Sequence, residues 1–218
     1  MIYYALYTFI NTEELFMNAP VIREIALLTV ERFLKIYGKK DERYELIDGV
    51  PYMMAAPNTA HQALSMFLSV EIGNYLKGKK CRIFAAPYDV FLSESSKAGN
   101  GGLSKYKKAG ATVVQPDLLV ICDKDKIKPE GCCGVPDFVI EIMSASTKDK
   151  DERLKLYKYL SSGVKEYWLI DPEGQTIQVY HKPKAADKKA ALDTFTFSDM
   201  VTSHVLDGLE IDFAQFGF

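Results

Sequence analysis

The sequence predicts an α/β (α+β) fold, and three observations carry that prediction. Val113–Ile121 and Val135–Met143 are near-continuous apolar runs, rich in β-branched and aliphatic residues, as in strands covered on both faces. From His61 to about Lys77, Leu64, Phe67, Leu68, Ile72 and Leu76 recur near helical spacing. The dipeptide Asp48-Gly49 stands between two strand-like runs and marks a hairpin near the N-terminal side.

The bounds are those of one substantial domain with one core: 218 residues, 48% hydrophobic. A net charge of −2 gives no global basic field, so nucleic-acid binding would have to use local basic residues. The four cysteines, Cys81, Cys122, Cys132 and Cys133, match neither CxxC spacing nor a secreted disulfide framework. They read as free thiols in a reducing cytosol rather than as a zinc site, which places the chain in the cytoplasm. Cys132 and Cys133 lie between Gly131 and Gly134 and read as loop. The apolar start, Met1 to Ile10, lacks a basic n-region and a cleavage site and is too short to span a bilayer. Residues 1–25 are therefore read as an N-terminal extension and 26–218 as a single domain, with no membrane segment.

The elements follow in order. Thr29 opens a first helix as its N-cap. The hairpin over Tyr44–Met54 comes next, then the amphipathic helix. Cys81–Leu92 reads as one strand, followed by a long polar loop from Ser93 to Gly110 with Lys97, Lys105, Lys107 and Lys108. The Asp117 strand, a Lys/Pro/Gly loop and the Glu141 strand come next. Asp149–Ser162 is a helix with Gly163 as its stop signal. Strands over Glu166–Asp171 and Thr176–His181 precede a Lys/Ala-rich loop and a mixed tail.

The chemistry lies in the two apolar runs. Each carries carboxylates, and an ionised carboxylate in such a place costs several kcal/mol unless a metal, a cation or a proton offsets it. Asp137 and Glu141 share a strand face but are about 13 Å apart at strand rise, too far to hold one ion. Asp117 reaches Glu141 if the two strands pair in the right register. A carboxylate pair completed by water suits Mg2+, with Mn2+ as a substitute. Asp151, Lys155 and Tyr159 fall on one helix face at i, i+4 and i+8, with Lys148, Lys150, Arg153 and Lys158 around them. Two readings of that face stay open. In one, Asp151 and Lys155 form a solvated pair worth a few tenths of a kcal/mol. In the other, Lys155 stands over the carboxylates and stabilises charge there. A zinc hydrolase is set aside because no His/Cys cluster has ligand spacing.

Taken together, these residues resemble the Uma2 family of endonucleases. The resemblance is carried by Tyr44-Glu45-Leu46-Ile47-Asp48-Gly49, His61-Gln62, Gln115-Pro116-Asp117 and the run from Pro136 to Ser144. It continues through Ser146-Thr147, Asp151, Lys155, Tyr159, Gly163-Val164 and Glu166 to Pro172, spanning about Leu28 to His181. The family belongs to the PD-(D/E)xK superfamily, so the resemblance implies a restriction-endonuclease-like core: a mixed central β-sheet flanked by helices. It also implies Asp117 and Glu141 as metal ligands. The superfamily lysine would fall two residues after Glu141, where Met143 stands, and Lys155 is the relocated replacement. Glu45 and His61 match further family positions, with a metal ligand and a proton-transfer group as the implied roles. Asp89 is a weaker candidate of the same kind, and Asp137 is structural, at the strand's entrance.

Two functions follow as expectations. The first is a metal-dependent DNA endonuclease using Asp117, Glu141, Lys155, His61 and Glu45, with DNA as partner and a homodimer suited to cutting both strands. The second is a catalytically inactive nucleic-acid-binding or protein-interaction module on the same fold, favoured by the acidic balance and Met143.

Overall fold

In the computed structural model, residues 27–92, 106, 110–144, 154–182 and 190–217 are described. The N-terminal extension, most of the Ser93–Gly110 loop and its lysines, and Ser146, Thr147, Lys148, Lys150, Asp151 and Arg153 lie outside them.

Helix α1 (Val30–Tyr37) starts where Thr29 accepts the Arg32 N–H at 3.2 Å, as its capping sequence predicts. Strands β1 (Tyr44–Ile47) and β2 (Val50–Met53) form the expected hairpin. Asp48 (φ 52°) and Gly49 (φ 79°) supply the two left-handed positions that such a turn requires. Helix α2 (Thr59–Tyr75) follows, capped by Asn58. The apolar stretch Cys81–Leu92 is not one strand but two, β3 (Arg82–Ala85) and β4 (Val90–Leu92), lying in different sheets.

The run Val113–Ile121 is divided in the same way, into β5 (Thr112–Val114) and β6 (Leu118–Ile121). Pro116 has no N–H to give a ladder, so the chain leaves one sheet there and enters the other. The segment around Cys132 is strand rather than loop. β7 (Ile127–Lys128) and β8 (Gly131–Cys133) pair with each other, and β8 also runs parallel to β4. Then come β9 (Phe138–Ile142), α3 (Leu156–Ser162), β10 (Glu166–Asp171) and β11 (Thr176–His181). The tail adds β12 (Ala191–Thr196), β13 (Met200–Thr202) and β14 (Glu210–Asp212).

Among the described residues the strands form two six-stranded sheets, ordered β2-β1-β5-β4-β8-β7 and β12-β11-β10-β9-β6-β3, and a β13-β14 pair. The second sheet is mixed, with β9 and β10 parallel and their neighbours antiparallel. The predicted α+β class and the helix-flanked mixed sheet are therefore present. The hairpin opens a further sheet that the sequence did not announce. Alternation along the strands sorts the core into layers. Phe138, Ile140, Trp168 and Ile170 pack with Leu64, Leu68 and Ile72 of α2 on one face of the second sheet. Val139, Tyr167 and Leu169 on its other face meet Ile47, Val90 and Val114 of the first sheet, together with Tyr159 of α3. Leu46, Phe91 and Val113 face outward from the first sheet onto Val30 and Phe33 of α1.

The thiol expectation needs correction for one pair. Cys81 and Cys122 are disulfide-bonded. Arg82 pairs with Ile121 in the β3–β6 ladder, so Cys81 and Cys122 occupy the next step of that register and face each other. Cys132 and Cys133 are free and buried, and burial pushes the Cys132 thiol up to about 12.

Candidate active site

Asp117 is placed by the break at Pro116. It sits just before β6, at a strand end rather than in mid-strand, and its carbonyl accepts the Ala86 N–H at 3.0 Å. Leu118 pairs with Ile140 across the antiparallel β6–β9 ladder, so the next step of that register sets Asp117 opposite Glu141. Asp117 Oδ2 accepts the Ile142 N–H at 2.7 Å and lies 3.1 Å from His61 Nε2. Its side chain is 16% exposed, and Asp117 and Glu141 both line one pocket.

Glu141 is a β9 residue with 3% exposure, offset by polar partners from α3 and its leading turn. Lys155 Nζ donates to Glu141 Oε1 at 3.0 Å, and the Tyr159 hydroxyl donates to the same oxygen at 2.7 Å. The i, i+4 spacing of Lys155 and Tyr159 thus points both groups at one carboxylate. Burial pushes the Tyr159 hydroxyl well above its ordinary value, with the Glu141 and Glu45 charges adding to it, so it remains a donor. Met143, two residues after Glu141, packs in the core against the β1–β5 side and offers no charge.

Lys155 also reaches the other sheet. Its ammonium lies 2.8 Å from Oε1 of Glu45, a β1 residue with no exposed surface. The same Glu45 oxygen accepts the Gln115 N–H at 3.0 Å. A single buried ammonium is therefore held between two buried carboxylates from different sheets. Removing one member of such a set strands the others' charge in a low-dielectric interior.

His61 comes from the first turn of α2. Asn58 Oδ1 accepts the His61 N–H at 2.9 Å, so the cap that starts the helix also fixes the histidine beside Asp117. His61 Nδ1 is buried with no hydrogen-bond partner among the described residues, leaving Nε2 as its engaged nitrogen.

All five predicted residues, Asp117, Glu141, Lys155, His61 and Glu45, are therefore brought together, with Asp117, Glu141, Lys155 and His61 lining the pocket and Glu45 behind Lys155. Asp89 stands one step removed: burial raises its pKa, and its Oδ1 accepts from Gln115 Nε2 at 2.8 Å. Asp137 is at the entrance of β9, where Oδ2 accepts the Cys122 N–H at 2.8 Å and Oδ1 meets Lys165 Nζ at 2.6 Å. Lys158 turns away to pair with Asp48 in the hairpin turn. Sequence reasoning passed over Arg43 and Ser144, which also line the pocket. Arg43 directly precedes β1, and nothing in its local sequence marks it.

Asp117 and Glu141 bring carboxylate oxygens to the pocket, the donor chemistry that suits a hard divalent cation. A different donor set lies elsewhere. His181, Asp193 and His204 converge although no ligand spacing links them in sequence.

A family model described as "Uma2: Putative restriction endonuclease" matches residues 30–214. The chain belongs to the Uma2 family. Its matched span runs from α1 past β14 and so includes every strand of both sheets. A solved structure from Anabaena variabilis ATCC 29413, described as a putative nuclease belonging to DUF820, superposes on this Uma2 chain with a TM-score of 0.63. It is 20% identical and covers 87% of this chain and 98% of its own, a likeness of fold. A protein of Synechocystis sp. (strain ATCC 27184 / PCC 6803 / Kazusa), named uncharacterized protein slr1290, is 26% identical over 162 residues, 73% of this chain and 77% of its own length. Among the described residues of this Uma2 chain, no helix is long and apolar enough to cross a membrane.

Proposed function

We infer that this chain is a divalent-metal-dependent endodeoxyribonuclease that hydrolyses DNA phosphodiester bonds, with Mg2+ as its ion and Mn2+ as a working substitute. One observation carries the reading. Asp117 and Glu141 are register partners at the mouth of a pocket, and Lys155 delivers an ammonium to Glu141 from the following helix. Membership in a family described as a restriction endonuclease supports the same chemistry.

In this reading Asp117 and Glu141 would hold the ion, which would supply Lewis acidity toward phosphoryl oxygens and lower the pKa of bound water. Lys155 faces the phosphate and stabilises the negative charge that grows on its non-bridging oxygens. Glu45 is a positioning residue: it fixes the Lys155 ammonium, 2.8 Å away, from the opposite sheet. His61 Nε2, 3.1 Å from Asp117, moves a proton at the pocket wall. Arg43 adds a cation at the pocket rim for a backbone phosphate. A two-fold pair of chains would cut both strands of a duplex.

Met143 favours one rival, a binding module that kept the fold but lost turnover. Cleavage of supercoiled plasmid separates the two. With Mg2+ or Mn2+, wild type nicks the plasmid, while Glu141→Ala and Lys155→Ala do not. Wild type that is inert with every metal and DNA form, yet still shifts DNA in a gel, establishes the binding module instead.

A further inference from the structure

We propose that His181, Asp193 and His204 form a second metal site, selective for zinc and similar borderline divalent ions, on the sheet face opposite the one to which Glu141 points.

The placement follows from the strand register. β10 and β11 pair Glu166 with His181, and β9 and β10 pair Phe138 with Glu166. His181 therefore lies level with the N-terminal end of β9, whereas Glu141 is near its C-terminal end. Along β11, Ile177 and Val179 face the α2 side, and alternation puts His181 on that same side. Glu141 alternates with Ile140 and Ile142, which face α2, so it points the other way. The two donor sets share neither an end nor a face of the sheet.

The cluster is assembled from three separate elements. Val179 pairs with Asp193 across β11–β12, which makes Asp193 a diagonal neighbour of His181 on one face. His204 arrives on the turn after β13, and a buried acid holds that turn in place. Glu166 Oε2 accepts from Ser203 Oγ and from the Val205 N–H, each at 2.8 Å, so it grips the residues on both sides of His204. Glu166 is itself the cross-strand partner of His181. One fully buried carboxylate thus aligns both histidines, a degree of preparation that a chance surface pair lacks.

The donor geometry suits the ion. Asp193 Oδ2 lies 3.0 Å from His181 Nε2 and 3.1 Å from His204 Nε2. Ligand atoms about 2.0–2.1 Å from a tetrahedral zinc sit about 3.3 Å from one another, so the two carboxylate-to-imidazole separations are already near that spacing, although the imidazole lone pairs do not yet converge. Two imidazoles and one carboxylate leave a fourth position for water. They favour zinc over magnesium, which seeks an all-oxygen shell. The His181 side chain is 9% exposed and its Nδ1 has no partner among the described residues, so the ring is buried with only Nε2 engaged. The rings are stacked at 3.5 Å with planes 6° apart, and imidazole lone pairs lie in the ring plane. Loading therefore swings the half-exposed His204 ring out of the stack while His181 stays fixed.

The test is Zn2+ titration of the full chain, with Co2+ as a spectroscopic stand-in, in wild type, Asp117→Asn, His204→Ala and Asp193→Asn. The expected result is one equivalent bound in both wild type and Asp117→Asn, a zinc-dependent rise in melting temperature, and visible Co2+ absorption. His204→Ala, at a half-exposed position, should leave the zinc-free melting temperature nearly unchanged. It should weaken zinc by more than about 100-fold, beyond the usual cost of losing an outer-shell partner. The proposal is overturned if wild type binds no zinc, if His204→Ala and Asp193→Asn leave the isotherm unchanged, or if Asp117→Asn alone abolishes binding. His181, Asp193 and His204 have no part in the nuclease reading, so the two stand or fall separately.

Discussion

Lys155 donates to Glu141 across 3.0 Å from the turn that leads into α3, not from the strand that carries the acid. A lysine two residues after Glu141, just past the end of β9, would be in the place Met143 occupies, in the buried cluster with Val139, Tyr167 and Leu169. Approaching from the helix, Lys155 meets Glu45 as well, and its ammonium ties the two sheets together.

Lys155→Ala should therefore destabilise the fold by about 3–5 kcal/mol, the cost of leaving buried carboxylates uncompensated. Urea denaturation of Lys155→Ala, Glu45→Gln and the double variant reads the coupling. The double variant should be less destabilised than the sum of the singles. Strict additivity would show that the ammonium and Glu45 do not interact in solution.

Tyr159→Phe removes one donor to Glu141 and keeps the ring in the core. The expected loss is about 1 kcal/mol of stability, with plasmid nicking reduced but still metal-dependent. Unchanged stability would mean that water replaces the hydroxyl at Glu141.

Asn58→Ala tests the coupling of the α2 cap to His61. Losing the cap should cost about 1 kcal/mol and lower nicking through displacement of His61. Asn58→Asp, which keeps an acceptor for the His61 N–H, should restore stability and most of the activity.

Asp137 gives a pH signature. Burial raises its pKa, but the Lys165 hydrogen bond, the Cys122 N–H and the nearby lysine charges outweigh burial and hold it below the usual carboxylate range. A depressed folded pKa means its contribution is fully present above the unfolded value, about 3.9, and is lost as pH falls through the lower folded value. Asp137→Asn should be less stable than wild type by about 1–3 kcal/mol at pH 7. The two curves should converge as pH falls below the usual carboxylate range. A gap that persists in acid would point to packing rather than charge.

The Cys81–Cys122 bond joins positions 41 apart in sequence, one just before β3 and the other just after β6. Reduction, or the Cys81→Ser variant, should cost about 2–4 kcal/mol in denaturant and leave the pocket residues in place. Equal stability in oxidised and reduced protein would show the bond to be dispensable.

Much of this architecture was legible in the sequence. Thr29, Asp48-Gly49 and the α2 stripe are local signals, and each produced the element expected of it. Lys155 and Tyr159 shared a predicted face and share a target. What was hidden depends on long-range register. The runs through Ala86–Asp89 and Gln115–Asp117 look continuous because apolar strand-like residues resume at once on the far side of each sheet switch; Pro87 and Pro116, with the polar Asp89, Gln115 and Asp117, are the local marks of the breaks. The pairing of Cys81 with Cys122, and of His181 with Asp193 and His204, arises from ladder partners and a pinned turn. Sequence spacing carries no trace of either.

The chain's repeated crossings from sheet to sheet, those between β3 and β4 and between β5 and β6 among them, have a consequence beyond topology. They put Glu45 on one slab of the molecule and Asp117 and Glu141 on the other, with the Lys155 ammonium as the rivet between them. A sideways slip of the slabs would stretch that rivet before it disturbed either sheet's own ladder. The pocket thus reports on how the halves of the protein are seated. A core substitution such as Ile47→Ala or Val114→Ala, which touches no reacting group, would be felt first as a loosened lysine.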